Sequence, residues 1–197
     1  MHSFPPSAHA QMSLGFGQGI PTESLFFAVL PEPQMVARIH ELGMGLRDEH
    51  GLQGLLLAPL RTHMMLGWMG EHAGVPPALL ARVKQAAGRV RSAAFEVCFD
   101  QVCSVGDGAP FPLVLTSDSG MERVSALHLE LSRVCTPLLP HAPRARPFRP
   151  AIPLLHDARR LPPQPVQPMR WLVREFVLLR SYLGQSRYQL EGRWELG

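Results

Sequence analysis

From Ser24 the chain reads SLFFAVLP, an apolar and aromatic run closed by proline, which is the pattern of a short buried strand. The next stretch, PQMVARIHELGMGLRDEH, repeats Met35, Ile39, Leu42 and Leu46 at three- and four-residue spacing with charges between them, and so predicts an amphipathic helix. Gly43 and Gly45 weaken its second half, and Gly51 stops it. Arg61–Met69 (RTHMMLGWM) reads as a strand, and Pro76–Ala94 as a helix whose prolines suit a first turn. Phe95–Val102 alternates like a half-exposed strand, Pro112–Asp118 supplies another, and Met121–Val134 a third helix. A proline-rich connection, TPLLPHAPRARP, leads into FRPAIPLLHDARRLP, where Phe148–His156 is the next strand. Met169–Leu179 and Ser186–Leu196 are the last two, joined across Leu183–Gln185. Strands and helices therefore mix with hairpin-like neighbours, and the expected class is α+β. Strand, helix and Arg-bearing strand occur in that order twice, ending once at Arg61–Met69 and once at Phe148–His156. Two similar half-units would produce this echo, but so would many small α+β chains.

Composition narrows the class without naming a chemistry. With 197 residues, 46% hydrophobic and 18% charged, the chain can bury a sizeable core, and 20 prolines with 17 glycines make it rich in turns. One domain over residues 24–197 is expected, after a flexible leader over residues 1–23 that lacks the basic and apolar regions of a signal peptide. The formal charge of +3 comes almost wholly from arginine, Lys84 being the only lysine. That excess is too small to imply non-specific duplex binding and is merely compatible with a phosphate ligand. Cys98, Cys103 and Cys135 fit no zinc or redox spacing, and reduced thiols in a cytoplasmic protein are the expectation. Cys98 and Cys103 stand an odd number of residues apart, which puts them on opposite faces of a regular strand. No apolar run approaches the roughly 20 residues that span a bilayer, so no membrane partner is expected, and the chain is expected to be monomeric.

Period-two alternation gathers Arg61, His63 and Met65 on one face of their strand, and Thr62, Met64 and Leu66 on the other. An imidazole that transfers protons near neutral pH, beside a guanidinium that grips phosphate oxygens, is a phosphate-handling pair, although a strand histidine is more often structural. In the other Arg-bearing strand, alternation sets Arg149, Ala151, Pro153 and Leu155 against Pro150, Ile152, Leu154 and His156. Ala151 does no proton chemistry, and Pro153 offers neither hydroxyl nor N–H and favours an edge or a bulge. His156 is the candidate substitute acid or base, but regular parity turns it away from the face of Ala151 unless a bulge intervenes. The remaining histidines form no metal-ligand spacing, and no nucleophile motif is present. GFGQG (Gly15–Gly19) precedes the first strand, whereas a phosphate loop would follow one. Neither a metal nor a cofactor is expected.

Four pieces in order, LFFAVLP, RTHMML, FRPAIPLLHDARRLP and WLVREFVLLRSYLGQSRYQLEGRW, resemble the 2H phosphoesterase superfamily, in its bacterial 2'-5' RNA ligase and RNA 2',3'-cyclic phosphodiesterase branch. The likeness runs from Ser24 to Leu196. It implies two pseudo-symmetric lobes, each an antiparallel sheet with outer helices, around a central cleft in which two His-x-Thr strands face each other. The implied chemistry is metal-free opening of a 2',3'-cyclic phosphate at an RNA end: one histidine is the base toward water, the other the acid toward the leaving ribose oxygen, and the two threonines hold the phosphate. Of those four positions His63 matches the first histidine, while Met65 stands for the first threonine, Ala151 for the second histidine and Pro153 for the second threonine. The second motif strand thus keeps its frame and loses its chemistry. Three readings follow. The chain is a hydrolase with weak or lost turnover, or a pseudoenzyme that binds RNA ends or nucleotide phosphates through Arg61, His63 and Arg149, or a relative whose cleft has closed into core.

Overall fold

The computed structural model describes residues 20–139 and 147–197. In chain order its elements are β1 (Glu23–Val29), α1 (Pro33–Glu49), β2 (Met64–His72), α2 (Pro77–Ala87), β3 (Phe95–Ser104), β4 (Phe111–Thr116), α3 (Glu122–Cys135), β5 (Ala151–Asp157), β6 (Gln164–Val173), β7 (Glu175–Tyr182) and β8 (Arg187–Glu195). They form two four-stranded sheets, β2-β1-β7-β8 and β5-β4-β3-β6, with every neighbouring pair antiparallel. The unit β1–α1–β2 occupies in the first sheet the places that β4–α3–β5 occupies in the second, while β7 and β8 answer to β3 and β6. The echo in the sequence is therefore a repeat of topology, and the α+β, two-lobed expectation holds.

One apolar cluster runs through both sheets and the inner faces of the helices, with Leu25, Phe27, Leu66, Phe99, Leu115 and Ile152 at its centre. A second, smaller cluster lies on the other face of the first sheet: Phe26, Ala28, Val177 and Leu179, with Tyr188 packed on it. The lobes interlock through their helices. Helix α1 packs against β5, and α3 packs against β2. Gly43, which weakened the sequence case for α1, is what permits the first contact: a Cβ there would stand 2.8 Å from Leu56 Cδ2 and 3.9 Å from Leu154 Cβ. At the second contact His128 Nδ1 lies 2.6 Å from the Leu66 carbonyl oxygen and donates to it, and its ring stacks on Phe148 with centroids 4.0 Å apart.

Several boundaries differ from expectation for local reasons. Helix α2 ends at Ala87, where Gly88 caps it, and not at Ala94. The run Met169–Leu179 is two strands in different sheets: the chain leaves the second sheet at Val173 and enters the first at Glu175, with only Arg174 between. No glycine or proline marks that crossing, because both strands need the same apolar alternation. Strand β6 also begins earlier than expected, at Gln164, and tolerates Pro165 and Pro168 because it is an edge. The leader read over residues 1–23 lies outside the described residues for 1–19. Its end is already tied in: Thr22 N donates to the His72 carbonyl, Leu183 N donates to the Thr22 carbonyl, and Glu23 opens β1. The proline-rich connection lies outside the described residues for 140–146.

Candidate functional site

His63 sits just ahead of β2. The predicted strand Arg61–Met69 starts three residues late, since Pro59–Arg61 forms a 3-10 turn and regular pairing begins at Met64. The facing predicted by alternation survives: Met64 and Leu66 enter the main core, whereas Met65 pairs opposite Ala28 and shares its face. On that face the His63 ring packs against Phe26 (centroids 5.1 Å apart) and edge-on to Tyr188 (5.6 Å). Only 9% of His63 is exposed. Its Nδ1 lies 2.8 Å from the Arg61 carbonyl oxygen. A carbonyl can only accept, so Nδ1 carries the proton and Nε2 presents a lone pair. Burial pulls the imidazole down to about 4; the bond to the Arg61 carbonyl opposes this, and the Arg61 charge adds to it. At pH 7 the ring is neutral, with a protonated fraction on the order of 10⁻³. Such a group accepts a hydrogen bond and is a weak base, but it is almost never available as an acid.

Arg61 crosses the same face, its Nε donating to the Tyr188 hydroxyl oxygen at 3.2 Å. Met65 is 41% exposed, so this face is open there and the closed-core reading does not describe it.

On the second sheet, Ala151 pairs with Thr116 and Pro153 with Val114, which places both on the face turned from the core, since Leu113 and Leu115 point inward. A register shift then follows, and Leu155 pairs with Leu113 while His156 pairs with Pro112. This bulge overturns the predicted parity of the strand's end. Leu155 is core, and His156 lies exposed on the face of Ala151 and Pro153. It remains well along the strand, on the order of 15 Å from Ala151 at about 3.3 Å per residue, and so does not reach the position of Ala151. Arg149 stands exposed just ahead of β5, near enough to Cys103 for its charge to oppose the upward push of burial and of Asp118 on that thiol. An irregularity in β3 between Phe99 and Gln101 also corrects the cysteine expectation: Val97, Phe99 and Val102 are all core, so Cys98 and Cys103 share the opposite face. Burial pushes the Cys135 thiol up to about 11, and both shifts disfavour a thiolate nucleophile.

The two motif segments come together. Strands β2 and β5 pack against each other, and Thr62 and Pro153 line one small crevice with Leu57 and Leu154. Asp157 holds this junction: its Oδ2 accepts from Gln53 N at 2.6 Å and Gly54 N at 2.7 Å, and its Oδ1 from Arg159 N at 2.7 Å. The Arg159 N–H does most to keep its carboxyl below the usual carboxylate range, against the effect of burial, and the Gly54 and Gln53 N–H groups add to this. Among the described residues no group of three or more His, Cys, Asp or Glu is placed to hold a metal ion, and no helix is long and apolar enough to cross a membrane. The sequence offered no sign of Tyr188 or Phe26 as neighbours of His63, because alternation gives a residue's face but not which strands lie beside it.

Solved structures share this arrangement. E. coli LigT complexed with ATP superposes with a TM-score of 0.67 at 26% identity, over 90% of this chain and 99% of that one. The chain has the LigT fold. LigT complexed with 3'-AMP gives a TM-score of 0.70 at 23% identity over the same shares, and the TT0787 protein of Thermus thermophilus gives 0.73 at 23% identity over 88% of this chain and 97% of that one. These likenesses agree with the 2H phosphoesterase resemblance of the motif strands. No protein-family model and no curated protein matches the chain. In this fold His63 lies just ahead of β2 in the first sheet, and Ala151 and Pro153 lie on β5 in the second.

Proposed function

We propose that this LigT-fold protein binds a nucleotide phosphate or the cyclic phosphate of an RNA end on the face that carries His63, with hydrolysis weak or lost. The observation that supports this best is the asymmetry of the site. On one side His63 is locked as an Nε2 acceptor beside Arg61; on the other, Ala151 and Pro153 offer no proton-transfer group and no hydroxyl. A general acid or base contributes roughly 10²- to 10⁴-fold, so its absence costs about 3 to 5 kcal/mol of barrier lowering. The neutral His63 does not replace an acid. The open face at Met65 and the arginines at 61 and 149 suit a bound anion, and LigT has been solved with 3'-AMP, ATP, NADP+ and phosphate.

A single-turnover assay on RNA ending in a 2',3'-cyclic phosphate tests this with wild type, His63→Ala, and a variant carrying Met65→Thr, Ala151→His and Pro153→Thr. Cleavage by the triple variant is expected to exceed that of wild type by roughly 10²-fold or more. His63-dependent cleavage by wild type at the rate of the triple variant would defeat the proposal.

A further inference from the structure

Arg61 lies in the 3-10 turn that leads into β2, and Tyr188 lies in β8, the opposite edge strand of the first sheet. β1 and β7 lie between β2 and β8, a span of about 14 Å at about 4.8 Å per strand. Their side chains nevertheless meet. Arg61 Nε donates to the Tyr188 hydroxyl at 3.2 Å, and the guanidinium carbon lies 5.9 Å from the ring centroid. The Tyr188 ring bridges the gap by leaning over Phe26, edge-on at 5.7 Å, and against His63, edge-on at 5.6 Å. The result is an arch over His63.

This arch uses one of the five guanidinium N–H groups, and among the described residues the four on the Nη atoms make no hydrogen bond. Arg61 forms no ion pair among the described residues. Met65 supplies no hydroxyl on this face, and Arg61 is a strong donor beside the His63 imidazole. An untethered arginine loses side-chain freedom when it grips a ligand, and a fixed Nε removes part of that loss beforehand.

We propose that Tyr188 is a positioning residue: its hydroxyl holds Arg61 across the sheet so that the Nη groups, in place of the missing threonines, meet the phosphate of a nucleotide bound next to His63 Nε2. This rests on the binding reading above. Tyr188→Phe is the informative change, because the ring keeps its packing on Phe26 and His63 and only the hydroxyl goes.

Calorimetric titration with 3'-AMP and with adenosine, on wild type, Tyr188→Phe, Arg61→Ala and the double variant, provides the test. Tyr188→Phe is expected to weaken 3'-AMP by about three- to tenfold, the effect of one hydrogen bond, with adenosine binding and thermal midpoint unchanged. In the Arg61→Ala background the same change is expected to do nothing. An Arg61 Nε–H resonance, slow to exchange in wild type and fast in Tyr188→Phe, is the expected ligand-free signature. The inference is overturned, with the binding reading intact, by wild type binding 3'-AMP and Tyr188→Phe binding it equally well. It is overturned likewise by an undiminished Tyr188→Phe effect without Arg61, or by an Nε–H signal the substitution does not alter. Wild type that binds neither 3'-AMP nor inorganic phosphate overturns the binding reading and this inference together.

Discussion

His63 is packed between Phe26 and Tyr188, and this packing sets how it titrates. Its folded pKa of about 4 lies below the ordinary value of 6.5. Between those two values the unfolded chain binds a proton at His63 and the folded chain does not, so stability falls as pH drops through the window and His63 adds nothing further below it. The full effect is about 3 kcal/mol. Urea unfolding at pH 7, 5 and 4 is expected to show this loss in wild type and not in His63→Asn, whose amide can still donate to the Arg61 carbonyl but does not titrate. A pH dependence equal in both proteins would mean that His63 is solvated. Asp157 acts in a lower range, its contribution being full above the ordinary carboxylate value and lost as pH falls below it. At this scale the sequence supplies the residue types of His63, Met65, Ala151 and Pro153 and the face that alternation gives each. It could not supply the tautomer, the burial or the aromatic neighbours, since those come from Arg61's carbonyl and from strands remote in the chain.

At the scale of elements, the site depends on how the 50–57 segment is pinned to β5. Asp157 accepts two backbone N–H groups from that segment, and Leu57 N donates to the Leu154 carbonyl. Gly54 runs so close to the His156 carbonyl that any Cβ there would collide with backbone. Asp157→Asn is therefore expected to cost about 2 kcal/mol by weakening charge-assisted bonds, and Gly54→Ala a similar amount through displacement of β5. Chemical denaturation checks both, and a loss below about 0.5 kcal/mol for either would show that the junction gives way easily. The elements themselves were mostly legible, because amphipathic spacing reports burial on one side. Bulges were not: the one in β5 exchanged the faces of Leu155 and His156, and the irregularity in β3 brought Cys98 and Cys103 to one face. A register slip depends on the partner strand, and alternation within one strand carries no record of it.

Over the whole molecule, a single apolar cluster passes through both sheets, and each lobe's helix packs on the other lobe's motif strand. The lobes are therefore expected to unfold together. Trp194 stacks on Phe176 in the first sheet, and Trp171 on Phe99 in the second. Variants that keep one or the other tryptophan are expected to give the same denaturation midpoint by fluorescence, coincident with circular dichroism; separated midpoints would mean that each lobe is stable alone. The repeated strand–helix–strand order and the α+β class were determined by the sequence itself, since they follow from residue type and local periodicity. Only the tertiary structure decided that Met169–Leu179 divides between two sheets, that α1 packs against β5 and α3 against β2, and that Tyr188 arches with Arg61 over His63. Each of these is a contact between segments far apart along the chain, fixed by which surfaces bury one another and not by the pattern within any one of them.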